Sequence, residues 1–346
     1  MKISRRRFLR DFFCGLAGAV AAGFLAACGV KPKPSPSPSP SPSPTSTPSP
    51  TPSPTAKPAP APPTVLPNPA PGAVYLAVAR GKSPAVSPRA LLEAALKALG
   101  GIEGFVPPGA EVIIKPNICV AYHTYEYAAT TNPEVVAALV RLCLGAGARR
   151  VRVMDAPFGG TAEQAYAKSG IAEAVKAAGG QMEVMSRMKY AATAIPAGRD
   201  ITRWPVYQDV LKADVLINVP IAKHHNLARL TLGMKNLMGV VLDRNQLHTN
   251  LGQRVADLAS LIRPHLTVID AVRILTNHGP TGGNLADVKF TNTIIASPDI
   301  VAADAYAATL FGLKGADIPA TRAGAQMGLG VMDLSRIKIE EVTVDG

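Results

Sequence analysis

The chain has 346 residues, 47% hydrophobic and 17% charged, with 32 prolines, 30 glycines and four cysteines, enough for one large domain or two small ones. Eighteen of the prolines fall between Pro32 and Pro71, and eight of the 36 basic residues precede residue 73, so the net charge of +12 shrinks to +5 over the rest, 28 basic residues against 23 acidic. With only 5% aromatic residues, this excludes a dense basic face or a base-stacking platform, and no nucleic-acid partner is expected.

Ser4-Arg5-Arg6-Arg7-Phe8-Leu9-Arg10 precedes a mildly apolar stretch from Phe12 to Ala27. A basic segment ahead of a short apolar run is a secretory signal, and paired arginines followed by Phe-Leu resemble the twin-arginine export motif. The run has 16 residues, fewer than the roughly 20 that a spanning helix needs. Leu25-Ala26-Ala27-Cys28 closes it and resembles a bacterial lipobox. Residues 1–27 are therefore expected to be cleaved and Cys28 lipidated, two acyl chains giving stable attachment to the membrane. Residues 28–72 read as a disordered stalk. Ser-Pro and Thr-Pro alternate, and no large apolar residue lies between Lys31 and Thr64, so no core can form. In polyproline II, at about 3.1 Å per residue, residues 31–71 reach on the order of 120 Å. The expected location is the outer face of the cytoplasmic membrane or the cell envelope.

Residues 73–346 alternate strand and helix. Val74–Ala79 is predicted as a strand, and Ser87-Pro88 opens a helix to about Leu99. Glu111–Lys115 is the second strand. Thr131-Asn132-Pro133-Glu134 starts a helix that ends near Gly145, followed by a strand over Val151–Asp155. Thr161 to Gln164 has the spacing of a capping box and opens a helix to about Ala178. Strands follow at Gln181–Met185 and Val215–Val219, a helix at Gln253–Ile262, strands at Leu266–Asp270 and Thr293–Ala296, a helix at Ile300–Leu310, and a last strand at Ile337–Val344. Alternation with near-continuously apolar strands predicts an α/β fold, a mainly parallel sheet with helices on both faces.

In such sheets ligands bind beyond the carboxyl ends of the strands. Lys115-Pro116-Asn117, Asp155, Gly159-Gly160, Lys223-His224-His225 and Asp270 all follow or end predicted strands, so parallel strands would gather them on one rim. Lys115 after a buried strand reads as an anion contact or a Schiff-base amine, or as a lysine snorkelling from the sheet end. Gly160, opening a helix after a strand, would present free amides to a phosphate or carboxylate. Asp155 and Asp270 would hold a ligand or cap loops. His225 and His248 are the candidate ligands of a metal, but no short metal spacing accompanies them, and an anion held by lysines and histidines fits the residues better. Leu227, Leu230, Met234 and Leu237 recur at helical spacing and read as core, with Lys235-Asn236 leaving from a neighbouring face toward ligand or solvent. Cys119 and Cys143 are the only cysteines after the lipobox. They read as buried small hydrophobes or as a disulfide, and they fall short of the four thiolates of an ordinary iron–sulfur cluster.

In this order, Lys115-Pro116-Asn117, Asp155, Asp214 to Pro220, Lys223-His224-His225, Met234-Lys235-Asn236-Leu237-Met238-Gly239, His248, Asp270, Gly279-Pro280 and Ser297-Pro298-Asp299 resemble the family named domain of unknown function 362. The Lys-Asn-Leu-Met-Gly run is the most distinctive piece, and the resemblance spans most of residues 73–346. It implies association with iron–sulfur and redox chemistry and a redox partner protein. Many members carry ferredoxin-like cysteine modules, and this chain has none. Threonine is common in the family where His224 stands, so Lys223 and His225 are the better-matched positions.

Two functions follow as expectations. In the first, the domain is a redox-associated or cofactor-dependent enzyme, its cofactor unidentified. Lys115, Lys223 and Lys235 neutralise an anionic small molecule, Asn117 and Asn236 orient it, and His225 or His248 moves a proton, with Lys223 beside them. In the second, it is a lipid-anchored protein that binds an anionic solute without chemistry.

Overall fold

The computed structural model describes residues 74–345. The expected signal segment, Cys28 and the stalk lie outside the described residues. The chain divides into two units, Met1–Ala56 and Lys57–Gly346, and everything described belongs to the second.

Among the described residues there are twelve strands and nine α-helices. The strands are β1 (Val74–Gly81), β2 (Glu111–Pro116), β3 (Arg150–Val153), β4 (Gln181–Met182), β5 (Tyr190–Ala194), β6 (Arg203–Tyr207), β7 (Val215–Val219), β8 (Ile221–His225), β9 (Arg229–Thr231), β10 (Leu266–Leu275), β11 (Val288–Ser297) and β12 (Lys338–Val344). The helices are α1 (Pro88–Ala98), α2 (Pro133–Gly145), α3 (Ala162–Lys168), α4 (Ile171–Ala177), α5 (Gln208–Lys212), α6 (Gly233–Asn236), α7 (Leu251–Leu261), α8 (Ile300–Thr309) and α9 (Pro319–Gln326). The main sheet runs β12-β1-β11-β10-β7-β2-β3-β4. β11 is antiparallel to both neighbours, and the other pairs along this path are parallel. β5 and β6 form a separate antiparallel pair.

The sheet has two buried faces because its strands alternate with period two. Ala77, Val112, Ile114, Val215, Ile217 and Val268 face one core, together with α1 to α4. Ile113, Leu216, Leu76, Val78 and Ile269 face the other, built with α6 to α9. Both cores are built from described residues.

The helix starts are chemical. The Ser87 Oγ accepts the Ala90 N–H at 3.1 Å with Pro88 behind it. The Asn132 Oδ1 accepts the Glu134 N–H at 2.9 Å before Pro133, and Thr161 with Gln164 makes the expected capping box. Three expectations change. The helix predicted from Thr161 to Ala178 is two helices, because Gly170 takes a left-handed conformation (φ 77°) between them. The strand at Leu266–Asp270 continues to Leu275, which puts Asp270 in its middle. The apolar run at Leu227–Met238 is β9 and the single-turn α6, with Leu227 exposed and the rest buried.

Topology then positions the site. β7 stops at Pro220 and the chain resumes as β8, which leaves β7's line and pairs with the upper half of β10, Asp270 opposite Ile221 and Leu275 opposite Lys223. The carboxyl ends of β2, β3, β7 and β8 thus open on one rim of the sheet, on the side covered by α6.

Candidate functional site

The floor of this rim is a buried polar network centred on Asn236. Lys115 on β2 and Asn218 on β7 are directly opposite in register, so both side chains leave the same face of the sheet and meet α6. The Lys115 Nζ donates to Asp155 Oδ1 at 2.6 Å, to Pro116 O at 2.9 Å and to Asn236 Oδ1 at 3.1 Å, using all three of its protons. The Asn236 Nδ2 donates to Asn218 Oδ1 at 2.9 Å. Asn117 Nδ2 donates to Asn236 Oδ1 at 2.9 Å, and its own Oδ1 accepts from Lys223 Nζ at 3.0 Å. Lys223 also donates to Ala129 O at 2.6 Å. Burial pulls the Lys115 ammonium below the ordinary lysine range, and the Asp155 carboxylate works against that pull. Asp155 is itself consumed, its second oxygen accepting the Ile118 N–H at 2.6 Å.

Glycine is required beside this pair. A Cβ on Gly239 would overlap Asp155 Oδ1 and lie 2.6 Å from Lys115 Nζ. The Lys-Asn-Leu-Met-Gly run therefore has a steric meaning: Asn236 supplies the hub, and Gly239 lets the backbone close over the buried pair. Asp304 on α8 holds the run in place, accepting the Gly233 N–H at 2.6 Å and the Met234 N–H at 3.0 Å.

Above the floor lies a cavity of about 850 Å³. Four cationic side chains line it, Lys115, Lys223, Lys235 and Arg244, against two carboxylates, Asp155 and Asp243. Three of the cations are held by the protein. Arg244 donates to Ala156 O at 2.8 Å and Pro157 O at 3.2 Å. Lys235 is the exception: among the described residues no hydrogen bond or ion pair holds its ammonium. Burial first, then repulsion from Lys223 and Arg244, lowers its pKa to about 8, with Cys119 opposing. A second orphan sits beside it. The Thr231 hydroxyl is buried with no hydrogen-bond partner, and Thr231 lines the same cavity. A buried hydroxyl without a partner carries a desolvation penalty of about 1–3 kcal/mol. An incoming acceptor would relieve it.

The two cavity histidines present opposite faces of hydrogen-bond chemistry. His225 Nδ1 accepts the Leu227 and Ala228 N–H groups at 3.1 and 3.2 Å, so its ring proton is on Nε2. Burial, then Lys235, Lys223, His248 and His224, lowers its pKa to about 3, leaving a neutral imidazole donor at neutral pH. This corrects the expectation that His225 exchanges a proton near pH 7. His248 Nδ1 lies 3.2 Å from Asn245 O. A carbonyl only accepts, so this nitrogen carries the proton and Nε2 keeps a free lone pair.

Of the residues expected on the rim, Lys115, Asn117, Asp155, Lys223, His225, Lys235, Asn236 and His248 all line the cavity. Asp270 does not. It accepts the Asn132 N–H at 2.7 Å and the Val272 N–H at 3.1 Å beneath α2, and burial raises its carboxyl to about 6. Gly160 lines a separate depression with Tyr122 and Lys168. It packs against Ala121, where a Cβ would overlap. His224 points away from His225, as neighbours on a strand must, and accepts the Gly279 N–H at 3.1 Å. Both cysteines are free thiols. Cys119 lines the cavity, whereas Cys143 is in the α2 core with its thiol pushed up to about 12 by burial. No group of three or more His, Cys, Asp or Glu is placed to hold a metal among the described residues, and His225 has only Nε2 left to offer one. No helix among them is long and apolar enough to cross a membrane. Arg244 is the lining cation that sequence reasoning misses, because it opens a 3-10 helix, Arg244–Asn250, whose sequence carries no apolar periodicity to mark it.

The model of the domain of unknown function 362 matches residues 112–309, from β2 to the end of α8, and the chain belongs to that family. The match contains every residue lining the cavity. The thylakoid-associated protein sll1697 of Synechocystis is 28% identical over 255 residues, 69% of this chain and 75% of that protein. The lactate racemase apoprotein from Thermoanaerobacterium thermosaccharolyticum aligns at a TM-score of 0.42 and 12% identity, over 66% of this chain and 55% of that one.

Proposed function

We propose that this domain is an enzyme acting on an anionic small molecule, which Lys235, Lys223 and Arg244 neutralise, to which His225 donates a hydrogen bond and from which His248 takes a proton. The observation that carries this reading is the pair of unmet groups in one cavity, the unpaired Lys235 ammonium and the buried, partnerless Thr231 hydroxyl. Both are supplied by an anion with acceptor oxygens. His225 Nε2–H then donates to developing negative charge without itself ionising, and His248 Nε2 accepts a proton as base. Lys115, Asn117 and Asn236, already bonded to one another, keep the floor rigid. A redox cofactor or partner protein is compatible with the same site, and no step of this account runs through one. We place the domain outside the cytoplasmic membrane, tethered through lipidated Cys28 and its Pro-rich stalk. Cys28→Ser should release it from the membrane fraction.

The test of the site is calorimetric titration of residues 57–346 with inorganic phosphate and acetate, in the wild type, Lys235→Met and Thr231→Val. Binding that falls at least tenfold in Lys235→Met and severalfold in Thr231→Val supports the reading. Absence of anion binding, or binding unchanged in both variants, refutes it. Anion binding that survives replacement of both histidines, with no turnover in any variant, would favour a solute-binding protein.

A further inference from the structure

Resting on that reading, the shape and lining of the cavity say which kind of anion it takes. The cavity holds about 850 Å³. A bare oxyanion the size of two or three waters would leave most of it unfilled, whereas pockets for organic ligands run from about 300 to 1,000 Å³. The buried end holds Lys115, Lys223 and Asn236, with His225 beside them. At the open end two large apolar side chains, Phe158 (57% exposed) and Leu227 (66% exposed), line the cavity among the exposed polar Asn226, Asp243, Asn245 and Gln246. Tyr122, 53% exposed, flanks the Phe158 segment from the neighbouring depression, since a Cβ on Gly159 would lie 3.1 Å from Tyr122 Cε1. Seven large apolar side chains are exposed among the described residues, and two of them, Phe158 and Leu227, line the cavity that holds Lys235. Phe158 is held there by the backbone, its N–H donating to Cys119 O at 3.0 Å. Arg244 braces the same segment through the Ala156 and Pro157 carbonyls.

We infer that the ligand is an amphipathic organic anion, with its carboxylate or phosphate at the Lys223–Lys235 end and its hydrocarbon portion seated against Phe158 and Leu227 at the mouth. Neither end alone accounts for the site: a small anion leaves Phe158 and Leu227 bare, and a neutral hydrocarbon leaves Lys235 and Thr231 unmet. A free amphiphile and a lipid headgroup present the same chemistry, and the arms of the experiment separate them.

Residues 57–346 are titrated with inorganic phosphate, butyl phosphate, octyl phosphate below its critical micelle concentration, and octyl glucoside. The same is done with the double variant Phe158→Ser/Leu227→Ser and with Lys235→Met. Both mouth residues are exposed, so the double variant should fold, and its affinity for inorganic phosphate is the internal check. The expected result is affinity rising with chain length by up to about fourfold for each methylene that seats, and octyl phosphate at least tenfold tighter than inorganic phosphate. That gain should drop to within about twofold in the double variant, with Lys235→Met weakening both anions and octyl glucoside not binding. Equal affinity for inorganic and octyl phosphate, or a chain-length gain that survives in the double variant, overturns this inference and leaves the anion site standing. Failure of every anion overturns both. Co-flotation with vesicles containing phosphatidic acid, lost in the double variant, assigns the amphiphile to a bilayer lipid; octyl phosphate binding without flotation assigns it to a free molecule.

Discussion

Two lysines of one cavity should respond to the same substitution with opposite signs. Lys115 is buried and bonded to Asp155 at 2.6 Å, so Lys115→Met leaves that carboxylate buried without its partner. Breaking one side of a buried pair costs about 3–5 kcal/mol. Lys235 has no partner to abandon. Its pKa is lowered from 10.5 to about 8, and at about 1.36 kcal/mol per unit this is a penalty of ~3 kcal/mol on the charged form. Lys235 keeps partial solvent contact, which screens the charge and reduces the realised penalty to about 2 kcal/mol. A group whose folded pKa is lowered contributes stability above its unfolded pKa and loses it as pH falls through the folded one. The Lys235 penalty is therefore complete below pH 8 and gone above 10.5. Lys235→Met should raise the melting temperature of the unliganded protein at pH 7 by roughly 4 °C, at about 2 °C per kcal/mol for a domain of this size. Its advantage should fade between pH 8 and 10.5, and its anion affinity should collapse. Lys115→Met should melt about 6 °C or more below the wild type at pH 7. The assay is calorimetric or fluorimetric melting at several pH values. The reasoning fails if Lys235→Met melts lower than the wild type at pH 7, or if its gain persists unchanged at pH 11, which would credit methionine packing rather than the removed charge.

Acetate, whose charge is constant above pH 6, should bind with an affinity that is flat from pH 6 to 8 and falls above it as Lys235 deprotonates; the acetate titration reads this, and an affinity constant to pH 10 counts against Lys235 as the binding cation. Gly239→Ala should destabilise by about 1–3 kcal/mol by forcing Asp155 and Lys115 aside, and should weaken phosphate binding. Burial raises Asp304 from 3.8 to about 7, so its contribution to stability is complete below pH 3.8 and lost as pH rises through 7. Asp304→Asn should flatten that slope in denaturant melts. His225, lowered from 6.5 to about 3, contributes the opposite limb: stability present above pH 6.5 and lost as pH falls toward 3. The wild type should therefore lose stability between pH 6.5 and 4 more steeply than His225→Gln.

Local chemistry was legible in the sequence and long-range chemistry less so. Ser87-Pro88, Asn132-Pro133 and Thr161 start helices through bonds to residues two or three positions away, which is within reach of pattern reading. The apolar runs of β2 and β7 mark strands buried on both faces, and placing Lys115, Asn117, Lys223 and His225 after them is enough to converge on one rim. Gly170 was ambiguous because a glycine inside a helical pattern is tolerated as often as it terminates one. β5 escapes because its outward residues are exposed and its burial alternation is weak. Asp270 was misplaced for a topological reason: β10 runs five residues past it to pair with β8, and nothing local marks that extension. Arg244 reaches the cavity through carbonyls 87 and 88 positions back, a relation no short spacing encodes.

The division of labour among the cations follows from how each is held. Lys115 spends all its protons on Asp155, Pro116 and Asn236, so it can contribute only a fixed potential. Lys223 spends two, on Asn117 and Ala129, and has one left to give. Lys235 spends none. A ligand anion thus meets a gradient from a neutralised, immobile pair to a free ammonium, and the bond it gains is strongest where the protein has left the charge least satisfied. Asn236 links the two ends, since the residue that accepts from Lys115 directly follows Lys235 on the turn that Asp304 caps. Moving that turn would shift the pinned floor and the free cation together. On the proposed reading, anion recognition is therefore tied to the Met234–Gly239 run rather than to any one lysine.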